Sequence, residues 1–141
     1  MTIFKSVSSV QTQKIAAEIA IKLKSGVIAL TGNLGAGKTT FTQGFAKALG
    51  IKDKIISPTF ILIRQHQIPK TKKILYHIDL YRLDDPIDIK SLGIDEIINN
   101  SDNLVLIEWA EKIKEYLPKD TIFISIKIID KNNREIYIEN F

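Results

Sequence analysis

The 141-residue sequence contains no cysteine, which excludes disulfides and thiolate metal sites. Its apolar runs are all much shorter than the ~20 residues that a membrane-spanning helix requires. Residues 1–10 are mixed and polar, without the long apolar core of a signal peptide. The lack of cysteine fits a reducing compartment, and with no apolar run of membrane-spanning length we expect a cytoplasmic protein with no membrane partner.

Arginine is also scarce, since only three of the 20 basic residues are arginines, and the net charge is +4. A basic protein suits an anionic ligand or a nucleic-acid-bearing partner, but the lysines are spread along the chain. The densest group, Lys70, Lys72 and Lys73, follows Pro69. This group favours a solvated loop tip over direct contact with RNA or DNA.

The stretch 32–40 carries the clearest chemical signal. It reads Gly-Asn-Leu-Gly-Ala-Gly-Lys-Thr-Thr and matches G-x-x-x-x-G-K-[ST], the phosphate-binding P-loop of proteins that bind nucleoside triphosphates. Its glycines permit backbone conformations in which successive N–H groups converge on phosphate oxygens. Lys38 can bridge the β- and γ-phosphates, and the Thr39 hydroxyl can ligate Mg²⁺.

Both flanks of this loop support the P-loop interpretation. Residues 27–30 form an apolar, partly β-branched run that is typical of a buried strand. Phe41 and Phe45 then recur at helical spacing, and Gly50 can end that helix. The dipole at the N-terminus of the helix would add to the anion site.

Besides the loop itself, a P-loop site needs an acid that holds or orients Mg²⁺, normally at the end of an apolar strand beside the P-loop strand. Asp79 follows the run 74–78, and Glu108 follows the run 104–107. The second run is uniformly apolar, as in a central parallel strand, whereas the first alternates, as in an edge or hairpin strand. We therefore expect Glu108 to be the metal-side acid, with Asp79 nearby as a second metal-shell or water-orienting group.

Polar residues at 57–59 interrupt an apolar run and leave two interpretations open. Ser57 and Thr59 flank Pro58, which keeps the chain extended or looped there. Either both hydroxyls make turn hydrogen bonds, or Thr59 faces the γ-phosphate and Mg²⁺ in a switch-like segment.

Trp109 and the two histidines also have alternative interpretations. Trp109 is either a core residue or a brace for the site or for a partner surface. We expect His66 and His77 to make ordinary hydrogen bonds, because neither has a pairing that indicates a metal site.

The remaining periodicities predict one domain, 1–141, of class α/β: a P-loop NTPase-like sandwich in which helices flank a central mixed β-sheet. We expect an edge strand at 3–7, a helix capped by Ser8 or Ser9 and ended at Ser25 and Gly26, a hairpin of 60–67 and 73–81, short helices at 92–98 and 110–117, and strands at 121–129 and 135–138.

Four blocks resemble the TsaE family in order and spacing. They are 32–41, Ser-Pro-Thr-Phe at 57–60, His-Ile-Asp-Leu-Tyr-Arg-Leu at 77–83, and Ile-Glu-Trp-Ala-Glu at 107–111. The P-loop alone is generic, but the four blocks together are specific and span nearly the whole chain. The family comprises bacterial P-loop ATPases of tRNA threonylcarbamoyladenosine biosynthesis.

The resemblance implies an ATP site in which Thr39 and Glu108 hold Mg²⁺, Asp79 supports hydrolysis, and 57–59 is switch-like. Its catalytic residues would be Lys38, Asp79 and Glu108. Its nucleotide-binding residues would be Thr12, Asn33, Leu34, Gly35, Ala36, Gly37, Lys38, Thr39, Thr40 and Arg134, with Thr12 and Arg134 on the adenine side. Asn33 departs from the acid usual in the family, but this position contributes backbone geometry, so phosphate binding should persist.

The resemblance further implies a weak ATPase that works with the TsaB–TsaD pair. TsaD transfers the threonylcarbamoyl group to adenosine 37 of tRNA, and ATP hydrolysis supports its repeated turnover. Contact of this chain with tRNA would then be indirect.

A small-molecule kinase is the first rival, but kinases surround the transferred phosphoryl group with several arginines. Arg64, Arg82 and Arg134 are widely separated and supply little for that purpose. A GTPase is disfavoured because the guanine-reading pattern Asn-Lys-x-Asp is absent. A non-catalytic, nucleotide-dependent binding module remains an alternative, and without an evident arginine finger the isolated activity should be low.

Overall fold

The computed structural model describes residues 1–56 and 62–141. Their strands are β1 (Thr2–Ser6), β2 (Gly26–Thr31), β3 (Ile63–Gln67), β4 (Ile74–Asp79), β5 (Leu104–Glu108), β6 (Ile122–Ile128) and β7 (Arg134–Glu139). Their α-helices are α1 (Ser9–Lys22), α2 (Lys38–Ala48) and α3 (Ile94–Asn99), and two 3-10 segments cover Pro86–Ile89 and Ala110–Tyr116. None of these helices is long and apolar enough to cross a membrane.

All seven strands form one sheet in the order β1-β7-β6-β2-β5-β4-β3. The strands β6, β2, β5 and β4 are mutually parallel, whereas β3, β7 and β1 pair antiparallel to their neighbours. The mixed sheet, the hairpin of β3 and β4, and the edge position of β1 are therefore confirmed. The uniformly apolar runs at 27–30 and 104–107 became the two adjacent central strands, because residues on both faces of such strands are buried.

One face of the sheet is covered by α1 and α2. The Ser8 hydroxyl caps α1 by accepting from the Gln11 backbone N–H at 3.1 Å. The two helices approach so closely that a Cβ on Gly44 would lie 2.5 Å from the Gln13 backbone, so only glycine fits there. This packing holds the helix that follows the P-loop against the sheet.

The other face is covered by α3 and the two 3-10 segments, over a second apolar core that includes Val105, Ile107 and Ile113. The predicted helix at 110–117 is a 3-10 segment with a break at Ile113, whose φ is −125°. Ala110 and Ile113 are both buried against the sheet. Burial of these two side chains, rather than α-helical propensity, explains the irregular backbone.

Candidate functional site

The P-loop connects the carboxyl end of β2 to the first turn of α2. At Gly32 a Cβ would lie 2.6 Å from the Ile126 carbonyl oxygen, so this position tolerates only glycine. Gly37 has a φ of 110° and precedes the first residue of α2. The loop therefore presents its backbone at a helix N-terminus, the arrangement that favours a bound phosphate.

Lys38 begins α2, and its side chain turns back over the loop. Its Nζ donates to the carbonyl oxygens of Gly32 at 2.5 Å and Asn33 at 3.1 Å. The same Nζ lies 4.1 Å from the centroid of the Trp109 ring. The amine is thus held within the loop, where a phosphate could exchange for the carbonyl contacts.

Burial lowers the pKa of Lys38 below its ordinary value of 10.5, because the charged amine loses solvation. The carboxylates of Glu108, Glu111 and Asp79 oppose this effect by stabilising the positive charge. Lys38 therefore lies in a partly desolvated site, where the nearby carboxylates favour the charged form of its amine.

Asp79 and Glu108 end two neighbouring parallel strands, β4 and β5, and are paired in register. On the other side of β5, Glu108 pairs with Leu30, near the end of the P-loop strand β2. Both carboxylates are buried, with 3% and 2% exposure respectively. The carboxyl ends of parallel strands meet at one edge of a sheet, so both predicted acids lie beside the P-loop. The Asp79 Oδ1 accepts from the Tyr81 backbone N–H at 2.9 Å.

The predicted metal pair, Thr39 and Glu108, is in direct contact: the Thr39 hydroxyl donates to Glu108 Oε1 at 3.1 Å. Hydroxyl and carboxylate oxygens are ligands that Mg²⁺ accepts, and nucleotide-bound Mg²⁺ takes its other ligands from phosphates and water. The described residues contain no group of three or more His, Cys, Asp or Glu side chains that could hold a metal ion alone. The donor set fits a metal that arrives with a nucleotide rather than a permanent metal centre.

His77 was not predicted to belong to the site. Its ring is fully buried, and Nε2 lies 2.5 Å from Glu108 Oε2, so its hydrogen bond goes to the predicted metal acid. The two-residue period of β4 puts His77 on the same sheet face as Asp79, and this signal was available in the sequence.

Trp109 follows Glu108 in a left-handed backbone conformation with φ 60°. Its half-buried ring contacts the Tyr81 ring, at a centroid distance of 5.2 Å, and also faces Lys38. The ring also packs against the second apolar core, so each of the two alternatives left open describes part of its surroundings. The segment 57–59, predicted to act as a switch, lies outside the described residues.

Thr12 and Arg134 meet on the other side of the P-loop, although they are far apart in the sequence. They line one cavity of about 270 Å³ together with Gly35, Ala36 and Thr40. The Arg134 guanidinium donates to the Ala36 carbonyl oxygen at 3.0 Å and to that of Gly35 at 3.3 Å. Asn33 and Leu34 are exposed, and Leu34 lines a second cavity beside the P-loop together with Lys38, Thr39 and Glu108.

Comparison with known proteins identifies the family of this chain. The family model described as threonylcarbamoyl adenosine biosynthesis protein TsaE matches residues 6–136. The chain is 41% identical over 137 residues to the tRNA threonylcarbamoyladenosine biosynthesis protein TsaE of Bacillus subtilis, an alignment covering 94% of this chain and 82% of that protein. It is also 41% identical over 138 residues to the protein of that name from Rickettsia prowazekii, covering 95% and 93% of the two chains.

A solved structure also resembles this chain over most of its length. The crystal structure of Bacillus subtilis YdiB matches with a TM-score of 0.78 and 37% sequence identity, over 96% of this chain and 82% of that one. The described P-loop, its two strand-end acids and these matches together show that the chain belongs to the TsaE family.

Proposed function

We propose that this protein binds ATP with Mg²⁺, hydrolyses it slowly, and serves as the ATPase subunit required for threonylcarbamoyl modification of adenosine 37 in tRNA, together with the TsaB–TsaD pair. The observation that carries the ATPase part is the contact between Thr39 and Glu108 at the carboxyl end of the P-loop strand, with Lys38 beside it. The names of the curated relatives, biosynthesis proteins of tRNA threonylcarbamoyladenosine, support the pathway.

In this proposal the protein binds the phosphates through the backbone N–H groups of 33–40 and the Lys38 amine. The N-terminus of α2 adds its dipole to the same site. Mg²⁺, when bound, would neutralise charge on the β- and γ-phosphates. Thr39 and Glu108 would hold that ion, and Asp79 would orient the attacking water from the neighbouring strand end.

The adenine side is assigned to the cavity beside the P-loop that Thr12, Thr40 and Arg134 line. Its position supports the assignment, because it adjoins the loop on the side away from Glu108. The Thr12 hydroxyl is buried and hydrogen-bonded to the Ser6 hydroxyl at 2.7 Å, which fixes its place in the wall.

The isolated protein should hydrolyse ATP slowly because of where its arginines lie. Arg134 is the arginine among the residues that line the two cavities beside the P-loop, and it donates to loop carbonyls on the side of the proposed adenine cavity. An arginine finger contributes about 10³- to 10⁵-fold to phosphoryl transfer, so a site without one should be slow until a partner completes it. We assign that completion to the TsaB–TsaD pair, which would also carry the contact with tRNA.

Reconstitution tests the proposal. We expect the purified protein, mixed with TsaB, TsaD, the carbamoyl-adenylate synthase, ATP, threonine, bicarbonate and tRNA, to support many rounds of modification for each TsaD. The Lys38→Ala variant serves as the matched control for ATP use and should fail to support turnover. A modification yield unaffected by omitting the protein would contradict the proposal, and ATP consumption that depends on a small hydroxyl compound instead of the partners would identify a kinase.

A further inference from the structure

The two oxygens of the Glu108 carboxylate have different partners. Oε1 accepts from the Thr39 hydroxyl at 3.1 Å, on the side of the proposed Mg²⁺ site. Oε2 is held at 2.5 Å by His77 Nε2, on the side of the sheet interior. One oxygen of the carboxylate is therefore bonded to His77, while the other faces Thr39 and the P-loop.

The burial of His77 is difficult to explain by folding alone. Its side chain has no exposed surface, and among the described residues Nδ1 has no hydrogen-bond partner. Burying a polar atom without a partner costs about 1–3 kcal/mol, and an apolar side chain of similar size would avoid this cost. The hydrogen bond to Glu108 is the feature that an apolar side chain could not provide.

We propose that His77 is a positioning residue for the metal site. Its Nε2–H orients the Glu108 carboxylate so that Oε1 points at Thr39, in the way that hydrogen-bonded outer groups orient metal ligands in other proteins. His77 acts through Glu108 and does not touch the nucleotide. The inference rests on the proposed Mg²⁺-dependent nucleotide binding and adds the residue that shapes the metal affinity of that site.

The test compares three substitutions at position 77. His77→Leu removes the donor but keeps an apolar, similarly sized side chain. His77→Gln places an amide N–H near the position of Nε2, whereas His77→Asn places its amide near Nδ1, too far from Glu108 to replace the bond. His66→Leu is the matched control, because His66 is also buried and bonded to a carboxylate, that of Asp53 at 2.9 Å.

Fluorescence of Trp109 reports binding directly, because it is the single tryptophan of the chain and lies beside Lys38. ATP is titrated first with a chelator and then with increasing Mg²⁺, and the thermal unfolding midpoint of each variant is recorded. A structural role would move the unfolding midpoint and both titrations together, whereas a positioning role moves the Mg²⁺ titration alone.

We expect His77→Leu and His77→Asn to raise the Mg²⁺ concentration for half-saturation by about 10- to 100-fold, with ATP affinity in chelator unchanged. His77→Gln should stay within about threefold of the natural protein, and His66→Leu should leave the Mg²⁺ titration unchanged even if it lowers thermal stability. If His77→Leu fails to fold, the contrast between the Gln and Asn variants carries the test.

Equal Mg²⁺ titrations for Gln and Asn, or for His77→Leu and the natural protein, would overturn the positioning role. A natural protein that binds no ATP, or binds it without any effect of Mg²⁺, would instead reject the proposed function itself.

Discussion

The two sides of the P-loop are built in different ways. On the side of the proposed Mg²⁺ site, called the metal side here, His77, Asp79 and Glu108 are buried near the ends of adjacent strands, and Glu108 bonds both His77 and Thr39 through side chains. On the side of the proposed adenine cavity, called the adenine side, Arg134 reaches the loop from the start of β7, and its hydrogen bonds go to backbone carbonyls. Strand register holds the metal side, whereas a long-range contact with the backbone holds the adenine side. Substitutions on the two sides should therefore differ in whether their effect on ATP binding or hydrolysis depends on Mg²⁺.

The largest effect is expected on the metal side. Glu108→Ala removes the proposed metal ligand, and we expect ATP hydrolysis to fall by about 10²- to 10³-fold, since metal stabilisation of phosphate charge is worth several kcal/mol. Nucleotide binding in chelator should change little. The measurement is phosphate release at saturating Mg²⁺, with Glu111→Ala, an exposed acid close by, as the control. Equal hydrolysis rates for Glu108→Ala and the natural protein would refute the metal role.

Lys38 lies on the phosphate path between the two sides. Lys38→Ala should weaken ATP binding by about 10- to 100-fold, because a hydrogen bond to a charged group contributes about 1.5–3 kcal/mol. The loss should be seen with and without Mg²⁺ in a calorimetric titration. Lys47→Ala, an exposed lysine in the last turn of α2, is the control. An unchanged nucleotide titration for Lys38→Ala would contradict the P-loop assignment.

On the adenine side a smaller effect, independent of Mg²⁺, is expected. Arg134→Ala removes the hydrogen bonds to Ala36 and Gly35, each worth about 0.5–1.5 kcal/mol. Because these bonds lie within the protein, only part of that free energy is lost from binding, and affinity for ATP and ADP should fall together by up to about tenfold. The Mg²⁺ concentration for half-saturation should stay the same. A change confined to the Mg²⁺ titration would show that the two sides are not separable as described.

The smallest effect concerns pH. Phosphate binds the protonated amine better, and burial has lowered the pKa of Lys38 below 10.5. Affinity for ATP should therefore be complete below that lowered pKa and decline as the pH rises through it, by less than about tenfold for each pH unit. Titrations from pH 7 to about pH 10 measure this decline, and Lys38→Arg, whose guanidinium stays protonated, should show a flatter profile. Matching profiles for lysine and arginine would assign the decline to another group.

The elements with strong local patterns were predictable from the sequence. The buried strands β2 and β5, the Ser8 cap of α1 and the helix after the P-loop all follow the predicted spans closely. The segment 110–117 was predicted as a short helix and is a broken 3-10 segment. Its residues are mostly good helix formers, but so short a segment is marginal as an isolated α-helix, and packing of Ile113 into the second core decided its backbone. Short elements of this kind depend on the surface that they cover.

The candidate site, like the fold, was predictable from the sequence only in part. The purity of the apolar run at 104–107 predicted Glu108 as the metal-side acid, and the structure places it against Thr39. His77 was missed because the alternation along its strand, although it places His77 on the same face as Asp79, carries no sign that Glu108 is its partner. That partner, Glu108, lies on a different strand, so only the pairing of β4 with β5 could reveal it.

By itself, the sequence determined the P-loop, since the glycines, Lys38 and Thr39 act through backbone and side-chain chemistry confined to a few consecutive residues. It also determined which strands are buried on both faces. The tertiary structure decided how Glu108 is shared between Thr39 and His77 and how Arg134 joins the loop, contacts that span 69, 31 and 98 positions. The physical reason is that local conformational preferences act over neighbouring residues, whereas the direction of a carboxylate depends on strand register and on donors brought from elsewhere in the chain.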